Sequence, residues 1–139
     1  MVYSSHPATP EPAVMQWLAI AFGGAAGALA RHAMVYWVNH AADKALPWGT
    51  LSVNAAGSLL AGAVLALFVG KWSGHVELQS LLVVGFLGSF TTFSAFSVEN
   101  LQLIQAGQYT KAAVYVGLSV LTCLVAALAG FRWAGAWMD

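Results

Sequence analysis

Charge is what this sequence has least of. Five Lys/Arg and five Asp/Glu make up 7% of the 139 residues, while hydrophobic residues reach 60%, a balance too apolar for a soluble domain of this size to cover with polar surface. The formal net charge is zero, which gives no reason to expect a nucleic-acid partner. The single cysteine, Cys123, excludes an intrachain disulfide, and no group of residues has metal-ligand spacing. No His, Cys and carboxylate set shares a plausible pocket, which argues against an enzyme. The first twelve residues hold three prolines and Glu11 but neither Lys nor Arg, so the basic start of a signal peptide is missing. Residues 1–12 read as a short disordered lead-in to one domain over residues 13–139.

What is present is apolar sequence in four blocks. All charged residues and all four histidines fall outside the stretches 13–30, 48–70, 78–98 and 112–131. Each stretch has about the ~17–25 residues that a helix needs to cross a bilayer. Trp17, Trp37, Trp48, Trp72, Trp133 and Trp137 lie near the ends of these stretches, where an indole anchors best at the headgroup level. The expectation is an all-α integral membrane protein of four transmembrane helices, multi-pass in a cell (inner) membrane.

Loop charges leave the orientation open. Arg31, Lys44 and Lys111 fall on one side and Lys71 and Arg132 on the other, three against two, too even for positively charged loops to choose a side. A chain that inserts both ways can pair with an antiparallel copy of itself.

Small residues supply helix-packing faces. Gly23 and Gly27 form a GxxxG in the first stretch, and Gly57, Ala61 and Gly62 offer the same close approach in the second. Polar residues inside the spans must find partners or meet water. Thr50, Asn54 and Ser58 recur every fourth residue and share one helix face, as do Tyr115, Ser119, Thr122 and Cys123. Taken alone, such stripes are more often glue between helices than a transport path.

The third stretch differs. Gly85, Gly88 and the run Ser89, Phe90, Thr91, Thr92 put poor helix formers at mid-span, where a break is tolerable only if protein or a cavity covers the freed carbonyls. This predicts a third helix broken near Gly88 and Thr91. Beyond it, Phe93 and Phe96 share a face, and a phenyl edge carries the positive end of a quadrupole that can attract a small anion without formal charge.

WGTLSVNAAGSLLAG (48–62) and GFLGSFTTFSAFSVE (85–99), with GALAR (27–31) before and YVGLS (115–119) after, resemble the Fluc (CrcB) family of fluoride ion channels across all four helices. The resemblance implies an antiparallel, dual-topology homodimer that lets fluoride leak out passively and so confers resistance. It also implies a structural, non-transported Na⁺ held by backbone carbonyls of Gly88 and Thr91. It places Asn54, Phe93 and Phe96 along the fluoride pore, adds Ser94, Tyr115, Ser119 and Thr122 as a polar track, and puts Arg31 at a vestibule. The family often has serine where this chain has Cys123, and a thiol donates poorly, so either Thr122 takes over that contact or the polar track is shorter here.

The alternatives are a small multidrug/proton antiporter-like four-helix transporter and a non-transporting membrane assembly subunit. Proton coupling calls for an ionisable residue within a span, and the first stretch carries none before Arg31.

Overall fold

A computed structural model of the chain describes residues 14–43 and 45–137. The lead-in expected over residues 1–12 lies outside the described residues, as does Lys44 among the loop charges. The described residues form helices α1 (Val14–Ala41) and α2 (Trp48–Val69), then a third segmented span and a last helix. The third span runs through α3 (Val76–Gln79), a π-helical stretch (Ser80–Leu87), α4 (Gly88–Phe90) and α5 (Phe93–Gln105). The last helix is α6 (Tyr109–Gly135). Among the described residues, four helical segments, Val14–Ala41, Trp48–Val69, Val76–Gln105 and Tyr109–Gly135, are long and apolar enough to cross a membrane.

The helices outrun the uncharged stretches that announce them. α1 continues past Ala30, through Arg31, to Ala41. Charge ends a hydrophobic run but not a helix, because Arg is a good helix former whose stem can lie along an apolar surface. At ~1.5 Å per residue, α1 is longer than the ~30 Å of a bilayer's hydrocarbon core.

Two crossings built on glycine hold the bundle together. Gly23 and Gly27 of α1 lie directly against the backbone of Leu81 and Phe86, and Gly85 returns the contact against Ile20 and Gly23. Gly62 of α2 meets the Ala127 backbone, and Gly130 of α6 meets that of Leu59. In each case a methyl group would collide with main chain that cannot step aside, so these faces depend on having no side chain.

The interruption in the third span sits later than composition alone suggests. Gly88 is helical (φ −62°, ψ −32°), and Gly85 lies within the π-helical stretch. The extended residues are Thr91 (φ −80°, ψ 156°) and Thr92 (φ −150°, ψ 113°). A glycine in a helix costs about 1 kcal/mol relative to alanine, and close packing of Gly85 on α1 offsets that. The Thr91 amide still donates to the Leu87 carbonyl, but at Thr92 a neighbouring helix offers the backbone a partner in place of its own spiral.

The tryptophans keep to the helix ends. Trp17, Trp37, Trp133 and Trp137 are exposed. Trp48 donates its indole N–H to Asp43 at 2.9 Å, and Asp43 also accepts from the Ala45 amide at 3.0 Å. These bonds, the indole's first, hold the Asp43 carboxyl below the usual carboxylate range.

Candidate functional site

The polar residues of α2 and α6 converge on the Thr91–Thr92 interruption. Asn54 Nδ2 donates to the Thr92 carbonyl at 3.0 Å, and the Thr92 amide donates to Asn54 Oδ1 at 2.8 Å. Gly57, one turn further along α2, has no side chain where the Thr91 methyl group packs. That close approach brings Asn54 to the broken backbone.

The pairing releases specific carbonyls. In a continuous helix the Thr92 amide would donate to the Gly88 carbonyl and the Ala95 amide to that of Thr91. Here Thr92 donates to Asn54, and the Ala95 amide donates to Thr92 Oγ1 at 3.2 Å. The Thr91 hydroxyl turns back to the Leu87 carbonyl at 2.9 Å. α5 starts at this point, so the positive end of its dipole lies at the interruption, with Thr92 as its N-cap.

A cavity of about 500 Å³ opens beside it, with Asn54, Ser58, Thr91, Phe93, Phe96, Ser119 and Cys123 among its lining residues. None of its lining residues carries a formal charge. Phe93 is 78% exposed, and its ring centroid lies 5.5 Å from that of Phe96 with the planes inclined at 43°. Ser119 is buried, and its hydroxyl has no hydrogen-bond partner among the described residues.

Beyond Phe96 the polar contacts continue as a linked set. The Phe96 ring lies 5.3 Å from that of Tyr115, a fully buried residue whose hydroxyl donates to Glu99 Oε2 at 2.7 Å. Thr50 donates to Glu99 Oε1, also at 2.7 Å. One carboxylate therefore ties α2, α5 and α6 together. Reading the chain alone overlooked Thr50, Thr92 and Glu99 as site residues, although Thr50 had been placed on the Asn54 stripe. Glu99 ends the uncharged stretch and so counted as a boundary.

The residues expected along the site divide accordingly. Asn54, Gly88, Thr91, Phe93, Phe96 and Ser119 all line the cavity. Tyr115 stands behind Phe96, and the exposed Ser94 hydroxyl lies 3.2 Å from Thr92 Oγ1. Arg31 is half-buried on α1 and does not line the cavity. The wall one turn beyond Ser119 is formed by Cys123 and not by Thr122. Four residues advance a helix by 40° beyond a full turn and three fall 60° short of one, so the cavity lies on the side to which Cys123 turns.

Fold and site together define a multi-pass helical membrane protein whose polar groups gather around an uncharged cavity beside the extended residues Thr91 and Thr92. The family profile described as "CrcB-like protein, Camphor Resistance (CrcB)" matches residues 18–131, and the chain belongs to that family. It is 47% identical over 111 residues to the fluoride-specific ion channel FluC of Hahella chejuensis, covering 80% of this chain and 87% of the relative. It is 44% identical over 124 residues to the protein of the same name from Hydrogenovibrio crunogenus, covering 89% and 90% of the two chains. The FluC of Leptospira interrogans is 42% identical over 127 residues, covering 87% of this chain and 91% of its own.

Proposed function

We propose that the chain is a fluoride-selective channel that exports fluoride passively across the cell inner membrane and thereby confers fluoride resistance. The observation that carries this reading is the uncharged cavity in which Asn54, Ser119, Phe93 and Phe96 meet the start of α5. A fluoride ion leaving water needs hydrogen-bond donors and positive dipole ends in exchange, without a full charge that would trap it. Asn54 spends one amide N–H on Thr92 and keeps the other. Ser119 has a free hydroxyl, and the phenyl edges and the α5 terminus add partial positive charge. The relatives' names point to the same ion.

The working unit in this reading is an antiparallel, dual-topology homodimer in the lipid bilayer. Large apolar residues, among them Phe22, Leu29, Leu121 and Leu124, are exposed on the isolated chain, leaving surface for both lipid and a second copy. Arg31 stands at a vestibule, while Tyr115 and Ser94 extend the polar track and Cys123, in place of Thr122, borders it.

A structural Na⁺ fits the donor set. The Gly88 and Thr91 carbonyls have lost their helical partners to Asn54 and Thr92, and neutral oxygen ligands suit a hard monovalent cation. When bound, the ion supplies positive charge that satisfies these carbonyls. Asn54 keeps the Gly88 carbonyl free of its helical donor, and Thr92 Oγ1 does the same for that of Thr91.

The test is fluoride efflux from liposomes containing only the purified protein, followed with a fluoride-selective electrode. Fluoride release without chloride release is expected. No release from correctly folded protein would leave an assembly subunit as the better reading.

A further inference from the structure

Cys123 stands in the cavity wall four residues beyond Ser119, about 6 Å further along α6. Two independent observations meet there. The cysteine is half-buried and lines the open space. Ser119, in the same wall, is only 6% exposed, and its hydroxyl has no protein partner.

A buried hydroxyl in a membrane helix normally bonds back to the carbonyl one turn earlier or to a neighbouring helix. One that does neither is satisfied by a polar guest in the cavity. Space that admits such a guest at Ser119 also reaches the sulfur one turn away.

We propose that Cys123 is a modification site inside the cavity, open to small uncharged thiol-reactive electrophiles, and that capping its sulfur closes the fluoride path. The second half rests on the fluoride-channel reading above; the first does not. With methyl methanethiosulfonate as the reagent, the thiol proton leaves to solvent and the Cys123 thiolate attacks the sulfenyl sulfur. The bond from that sulfur to the sulfonyl sulfur breaks, and its electron pair departs with methanesulfinate. The cysteine sulfur is oxidised to a mixed disulfide while the sulfonyl sulfur is reduced to the sulfinate. The added methylthio group occupies part of the cavity that the proposed path crosses, and the sulfur loses its proton as a donor.

The chain has one cysteine, so labelling is unambiguous. Full-length protein in liposomes is treated with the reagent, and intact mass and fluoride efflux are measured on the same sample before treatment, after it, and after a reducing agent. The expected result is a gain of one methylthio group with a fall in flux on the order of tenfold, both reversed by reduction. Cys123→Ser, compared with its own untreated flux, shows neither change. Native protein that stays unlabelled under conditions that label the denatured chain would overturn the site. Full labelling with unchanged flux would show that the sulfur lies off the path and would overturn the closure. Absence of fluoride flux before any reagent is added would count against the fluoride reading, and the mass spectrum would still decide whether the site exists.

Discussion

Asn54 and Thr92, 38 residues apart in sequence, are joined by a reciprocal pair of hydrogen bonds in which a side-chain amide on one helix takes the place of the next turn of another. The geometry of the interruption follows from this exchange. It stabilises extended backbone at Thr92, releases the Gly88 carbonyl, and leaves one Asn54 N–H uncommitted.

The first prediction follows from that pair. In Asn54→Asp the Thr92 amide keeps its acceptor, but the Thr92 carbonyl loses its donor and faces a carboxylate. A buried group left unpaired costs about 1–3 kcal/mol, and negative charge opposes an anion's entry. Fluoride efflux should be abolished and the melting temperature in detergent should fall. Normal conduction by Asn54→Asp would show that Asn54 only braces the helices.

Phe93 and Phe96 are tested by replacement with isoleucine, which keeps apolar bulk and removes the quadrupole. Phe93 is exposed on the isolated chain, so Phe93→Ile should change stability by no more than ~0.5 kcal/mol. Flux in either variant should drop at least about tenfold. Wild-type flux in both would reduce the rings to packing.

The Glu99 carboxylate accepts from Thr50 and Tyr115 at equal distance. Tyr115→Phe and Thr50→Val each remove one of these donors, and each loss is expected to cost ~1–3 kcal/mol of stability. Because both act on one carboxylate, the double variant should depart from additivity by more than ~0.5 kcal/mol in thermal denaturation. Additive losses would mean that the two hydroxyls do not share Glu99 in solution.

If Gly88 and Thr91 hold sodium by their carbonyls, Thr91→Ser should be mild. A serine hydroxyl can still reach the Leu87 carbonyl as Thr91 does, and the ligand atom is unchanged. Exchanging Na⁺ for a bulky organic cation during purification should lower the melting temperature or stop fluoride flux in wild type. Insensitivity to the exchange, together with an ion-free dimer centre by anomalous scattering, would remove the cation from the description.

Orientation is testable through the even division of Lys and Arg. Two or three lysines added to the loop over residues 70–75 should pin one orientation and abolish function. Co-expression with an oppositely biased copy should restore it. A wild-type C-terminus that reports from one side of the membrane only would end the dual-topology reading.

Membrane class, number of spans and helix-packing glycines could be read directly from the chain, because a bilayer imposes length and polarity rules on every segment separately. Gly23, Gly27 and Gly62 act where their spacing placed them, and Thr50, Asn54 and Ser58 share one face of α2 as their four-residue repeat required. Helix ends were harder to read, since Arg31 ends a hydrophobic run without ending α1.

Tertiary structure decided how the polar residues divide their work. Sequence placed Asn54 on a face but could not show that the face meets Thr92. That depends on Gly57 admitting the Thr91 side chain, a contact between residues 34 positions apart. Glu99 read as the edge of a span until folding brought Thr50 and Tyr115 to its two oxygens. The choice of Cys123 over Thr122 for the cavity wall depended on the rotation of α6, which the Gly62 and Gly130 contacts with α2 set. Periodicity fixes which residues share a face of a helix, but only the packing of one helix on another determines which way that face turns.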